Sequence, residues 1–177
     1  MKWTAASLWI IGFAVLAILG TVGIKALAGG DGRGSGFSTA PGSSLLTKVT
    51  RVVDGDTIVV EIGGSEEKVR YIGIDTPETK KPNTPVQCFG KAASRENERL
   101  VADKPVRLVF DAEPRDRYGR LLAYVYRSSD DLFVNSELVR MGFAKELTFP
   151  PNVRFKDLFS RLVNAAKSSG IGLWGQC

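Results

Sequence analysis

The chain has 177 residues, 44% hydrophobic and 24% charged, which suits one globular domain with a targeting segment and is too short for two ordinary domains. Lys and Arg number 24 against 19 Asp and Glu, and the net charge of +5 permits a polyanionic partner without arguing for one. Histidine is absent, which excludes Ser-His-Asp hydrolases, His-ligated zinc and His-activated nucleophiles, and leaves acid–base chemistry to carboxylates, Lys, Tyr, Cys or a metal-bound water.

Residues 8–24 are apolar or small and uncharged, with Lys2 ahead and Lys25 behind. A hydrophobic N-terminal helix is expected, at the lower edge of a membrane span and long for a signal-peptide core. Ala26-Leu27-Ala28 has the small-x-small form of a signal-peptidase site. An anchor and a cleaved signal over residues 1–28 both remain open. Either places the rest outside the cytoplasm, tethered to the cell membrane or released as a secreted or periplasmic protein. Residues 29–44 read GGDGRGSGFSTAPGSS, a Gly/Ser-rich composition that buries little apolar surface and predicts a flexible linker. A domain over residues 45–177 follows.

That domain opens on strand patterns at 48–53, 57–62 and 67–74, joined by the Asp54-Gly55-Asp56 and Gly63-Gly64 turns into a meander. Alternation along the third strand sets Tyr71 and Gly73 on the face opposite Arg70 and Ile72. A loop rich in Pro and Lys (77–87) precedes a helix over about 89–102. Strands are predicted near 106–110 and 121–126, then a short helix over 135–141 ended by Gly142. Phe155, Leu158, Phe159, Leu162, Val163 and Ala166 recur at helical spacing, with Asn152 as candidate N-cap. Five strands with three helices predict an α+β fold, a small closed barrel of the OB type. Cys88 and Cys177 form no C-x-x-C pair. In an exported domain they suit one disulfide pinning the C-terminal tail, with two free thiols as the alternative.

Three segments carry candidate chemistry. Asp54-Gly55-Asp56-Thr57 alone reads equally as a hairpin turn. Arg70 precedes Asp75-Thr76-Pro77-Glu78, where the proline biases Thr76 to an extended backbone and fixes Asp75 and Glu78 apart. Two acids at a strand end suit a hard cation. Asp116-Arg117-Tyr118-Gly119-Arg120 alone suits a solvated turn. In order, D-G-D-T, R-x-x-x-x-D-T-P-E, D-R-Y-G-R, V-N-x-x-L-V-R-x-G and a final G-L-W closely resemble the staphylococcal nuclease (thermonuclease) family, from about residue 49 to 174.

The resemblance implies an OB-fold barrel with three helices and a calcium-dependent nuclease acting on DNA and RNA and leaving 3′-phosphate ends. It implies Asp56, Asp75 and the Thr76 carbonyl as Ca2+ ligands, with Asp54 acting through water. Glu78 would position or deprotonate the attacking water, Arg70 and Arg120 would grip the scissile phosphate, and Tyr118 would contact a terminal phosphate. The chemistry agrees. Only oxygen donors are at hand, which suits calcium or magnesium, and guanidinium forks match phosphate oxygens in pairs. The family's base-flanking tyrosines are missing from Lys145-Glu146-Leu147-Thr148-Phe149-Pro150-Pro151, leaving Phe149 as the stacking ring. Lys80 and Lys81 would steer the backbone of a single-stranded DNA or RNA. Trp174 is expected to pack. The expected state is a monomer, and the alternative function is a non-catalytic nucleic-acid-binding OB module.

Overall fold

A computed structural model describes residues 37–79 and 85–177. The N-terminal hydrophobic run, the linker as far as residue 36, and Lys80 and Lys81 lie outside the described residues. Among the described residues no helix is long and apolar enough to cross a membrane. Residues of the expected linker's end pack on the domain: the Phe37 ring lies 6.1 Å from that of Phe110, and Gly42 N–H donates to the Phe110 carbonyl.

β1 (Ser44–Asp54) is the spine of the barrel. Its first half pairs antiparallel with β5 (Pro105–Val109) and its second half with β2 (Thr57–Ile62). Register shifts at Val49/Arg51 and Val52/Asp54 curve it enough to serve both partners. β2 pairs with β3 (Ser65–Tyr71), and β5 with β6 (Leu121–Arg127). Parallel pairing of Val69, Arg70 and Tyr71 with Leu121, Leu122 and Ala123 closes the ring. Closure pairs the strand edges and lets Ile58, Val60, Val69, Tyr71, Leu108 and Leu121 fill the interior. This is the expected five-stranded OB-type barrel.

The third strand departs from the expectation. It stops at Tyr71, and Gly73 takes φ +80° to launch a separate β4 (Gly73–Asp75). A Cβ at Gly73 would stand 2.4 Å from the Phe159 ring, so only glycine fits this corner. The predicted alternation therefore fails here, and Ile72 is buried beside Tyr71. Buried Asn135 secures the break, accepting from Val125 N–H and donating to the Ile72 carbonyl. β4 leaves the barrel to pair with β8 (Lys145–Leu147), setting Asp75 opposite Lys145.

Helices α1 (Gly90–Val101), α2 (Val134–Arg140) and α3 (Lys156–Ser168) match the three expected. β7 (Leu132–Phe133) and the single turn α4 (Leu173–Gln176) were too short to show a period in the sequence. Asn152 is not the N-cap of α3; that position is Phe155. The Asn152 amide instead exchanges two hydrogen bonds with the Glu113 backbone across the fold. Cys88 and Cys177 form a disulfide. Trp174 packs against the core, with Lys167 Nζ 4.6 Å from its ring centre.

Candidate active site

The β1–β2 turn places Asp56 at the rim of the barrel, 4% exposed. Its Oδ2 accepts from the Thr76 backbone N–H at 2.7 Å and the Thr76 hydroxyl at 3.0 Å, and its Oδ1 from the Thr57 hydroxyl at 3.1 Å. Gly55 makes this possible: a Cβ there would lie 2.7–2.8 Å from Thr76 side-chain atoms. Behind the turn, Asn97 on α1 donates to the Asp54 carbonyl at 2.8 Å and accepts from the buried Tyr71 hydroxyl at 2.9 Å. The turn is held from both sides.

Arg70, at the end of β3, ties the two acidic segments together. Its Nη1 lies 3.2 Å from Asp56 Oδ2 and donates to the Tyr71 and Ile74 carbonyls, while its Nη2 lies 2.9 Å from Asp75 Oδ1. Asp56 and Asp75 thus share one guanidinium. The environment disfavours further negative charge. Burial first, and then the neighbouring Asp56, push Asp54 up to about 6. Burial also raises Asp75 above the usual carboxylate range, against the pull of Arg70. Glu78 is near enough to add its repulsion to Asp75. Its own Oε1 accepts from Thr79 N–H at 2.9 Å.

On the other side of Arg70 lies a cavity of about 490 Å³. Arg70 and Arg120 line it together with Tyr118, Phe149 and Leu147. The Asp116–Arg120 turn is internally braced: Asp116 accepts from the Tyr118 and Arg120 N–H groups and, at 2.7 Å, from Arg120 Nε. Arg120 lines the cavity with its Nε held by Asp116, and among the described residues its terminal nitrogens make no hydrogen bond. The Tyr118 ring centre lies 4.8 Å from the Arg117 guanidinium, which donates to the Tyr118 hydroxyl at 2.6 Å, and 5.5 Å from that of Arg120. Tyr118 and Phe149 are each 68% exposed, two open rings at the cavity mouth.

The structure therefore brings together Arg70, Asp56, Asp75 and Thr76 on one side, and Arg70, Arg120, Tyr118 and Phe149 on the other. Residues 68–176 match the family described as staphylococcal nuclease homologue. A thermonuclease of Staphylococcus intermedius is 43% identical over 164 residues, covering 92% of this chain and 95% of that one. The chain belongs to the staphylococcal nuclease family. A thermonuclease of Staphylococcus hyicus is 39% identical over 145 residues, 82% of this chain and 83% of its own. Endonuclease YncB of Bacillus subtilis is 43% identical over 135 residues, 74% of this chain and 63% of its own. With the family comes the enzyme class, a nuclease. Sequence reasoning missed Asn97 and Gln87, isolated polar residues in or beside apolar patterns, and gave Asn152 the wrong role; their partners lie 9 to 43 positions away.

Proposed function

We propose that this staphylococcal nuclease relative hydrolyses phosphodiester bonds in DNA and RNA with calcium, leaving 3′-phosphate ends. The observation that carries the reading is the position of Arg70, bound to both Asp56 and Asp75 and lining the same cavity as Arg120. The donors fit a hard cation: carboxylates with backbone oxygen, and no nitrogen or thiolate ligand. Among the described residues no three acidic or thiol groups form an enclosing cage, so Asp56, Asp75 and the Thr76 carbonyl would hold the ion together with water. Asp54 and Asp75, whose charge burial disfavours, gain from a cation beside them. Calcium, when bound, supplies positive charge to a phosphate oxygen.

The protein's own groups do the rest. Arg120 binds the scissile phosphate through its terminal nitrogens. Arg70 keeps its buried bonds to Asp56 and the carbonyls and exchanges the half-exposed Asp75 contact for a phosphate oxygen. Glu78 takes the proton from the attacking water as its oxygen bonds to phosphorus and the bond from phosphorus to the 5′ oxygen breaks, and the 5′ oxygen leaves as an alcohol with a proton from solvent water. Tyr118 meets a terminal phosphate, and Phe149 stacks on a base of single-stranded substrate. Lys80 and Lys81 steer the backbone. The monomer is exported, as a membrane-anchored or signal-cleaved form, through residues 1–28.

Incubation of the purified full chain with single-stranded DNA and RNA, with calcium or chelator, tests this. Cleavage that stops with chelator and yields 3′-phosphate ends supports the reading. A chain that binds oligonucleotides but cleaves none with several divalent ions is a binding module instead. A mature N-terminus at Gly29 would identify the signal-cleaved form, and full-length chain in membranes the anchored one.

A further inference from the structure

Glu78 is held through its backbone by a residue nine positions along the chain. Glu78 N–H donates to Gln87 Oε1 at 2.9 Å, and Gln87 N–H donates back to the Glu78 carbonyl at 3.0 Å. This reciprocal pair fixes where the Glu78 carboxylate begins. Yet Gln87 and Cys88 are exposed, and an exposed hydrogen bond competes with water.

The corner at residues 87–89 is held by three other means. Gly90 N–H donates to the Gln87 carbonyl at 3.0 Å. Phe89 sits at φ +67°, a left-handed conformation rare for a phenylalanine, with its ring stacked 5.2 Å from that of Phe143. Such backbone strain persists only where the surroundings over-determine it, and it collects at functional sites. Cys88 is bonded to Cys177, at the end of α4. That end is firmly seated: Leu173 is buried, and its N–H donates to the Gly142 carbonyl at 2.9 Å. The disulfide thus runs from the body of the protein to the residue next to Gln87.

We propose that Gln87 is a positioning residue for Glu78 and that the Cys88–Cys177 bridge holds Gln87 in place. The proposal rests on the reading that Glu78 activates the water. A small misplacement of such a group is costly, since about 1 Å can lower a rate on the order of 10²-fold.

The test measures kcat and KM on a single-stranded oligonucleotide with calcium, using the oxidised full chain. Gln87→Met keeps the shape of the side chain and removes the acceptor; Gln87→Glu keeps an acceptor oxygen. The expected result is a fall in kcat of about tenfold for Gln87→Met with KM unchanged, and recovery of most of that loss in Gln87→Glu. Cys88→Ser/Cys177→Ser should lower kcat similarly. Adding Gln87→Met to it should cost little more, because both act through one contact. Full kcat in Gln87→Met, a loss confined to KM, or losses that multiply independently would overturn the proposal. Should the cysteine variant fail to fold, the two Gln87 variants decide alone. Glu78→Gln is run alongside. If it is impaired while Gln87→Met is not, only the positioning role falls; if it keeps full activity, the role of Glu78 falls and this proposal with it.

Discussion

The acidic corner and the cavity mouth meet at Arg70 and are built in opposite ways. Asp56 is 4% exposed and its oxygens are claimed by Thr57, Thr76 and Arg70, whereas Tyr118 and Phe149 are each 68% exposed and stand on turns. The corner sits on strand ends locked by buried side chains. The mouth presents open rings and the Arg120 fork. Groups that set the geometry of a reaction need rigid support, and groups that receive a variable polymer do not. Mutations should therefore separate the two regions by whether stability changes along with activity.

The two arginines give the largest expected contrast. Arg70→Ala leaves Asp56 buried and unpaired, and should destabilise the fold by about 3–5 kcal/mol while lowering the cleavage rate about 10²–10³-fold. Arg120→Ala should lower the rate comparably and cost at most about 1 kcal/mol of stability, since the partly exposed Asp116 keeps its bonds from the Tyr118 and residue-120 N–H groups when the guanidinium is lost. Urea denaturation and single-turnover rates on the same samples measure both; equal destabilisation by the two changes would erase the distinction.

Gly55→Ala comes next. The added methyl must displace Thr76 from Asp56, with an expected loss of about 1–3 kcal/mol and weaker calcium binding by calorimetry. Asn97→Ala should cost about 1–3 kcal/mol by stranding the buried Tyr71 hydroxyl and the Asp54 carbonyl, again visible in denaturation. An unchanged midpoint in either variant would mean that the corner is less constrained than its contacts imply.

The mouth should respond differently. Tyr118→Ala and Phe149→Ala should leave stability within about 0.5 kcal/mol of the parent. Their effect should be on KM, with a base-stacking loss of about 1–3 kcal/mol expected for Phe149. A fall in kcat at constant KM would assign these rings to positioning rather than to substrate binding.

The barrel was legible because its strands are long enough to display alternation and its hairpins carry Asp-Gly and Gly-Gly turns. The candidate site was legible through ordered motifs whose members are close in sequence, as in Asp75-Thr76-Pro77-Glu78. What escaped were features that exist only after folding. Gly73 lies in a β-like run, and nothing local reveals the Phe159 ring beneath it. Asn152 precedes a helix and has the right chemistry for a cap, but Glu113, far away in sequence, claims its amide. The three-residue β4 and β8 carry too little pattern to show a pairing that sets Asp75 opposite Lys145. Cysteine count allowed a disulfide; only the fold brings the tail to Cys88.

Single-turnover cleavage of a single-stranded oligonucleotide by the full chain, compared with Glu78→Gln at saturating calcium and again with chelator, bears most directly on the account. The parent should cut with calcium and stop with chelator, and Glu78→Gln should be slower by about 10²–10⁴-fold while binding the oligonucleotide as well as the parent does. Parent-like cleavage by Glu78→Gln, or cleavage indifferent to chelator, would contradict it.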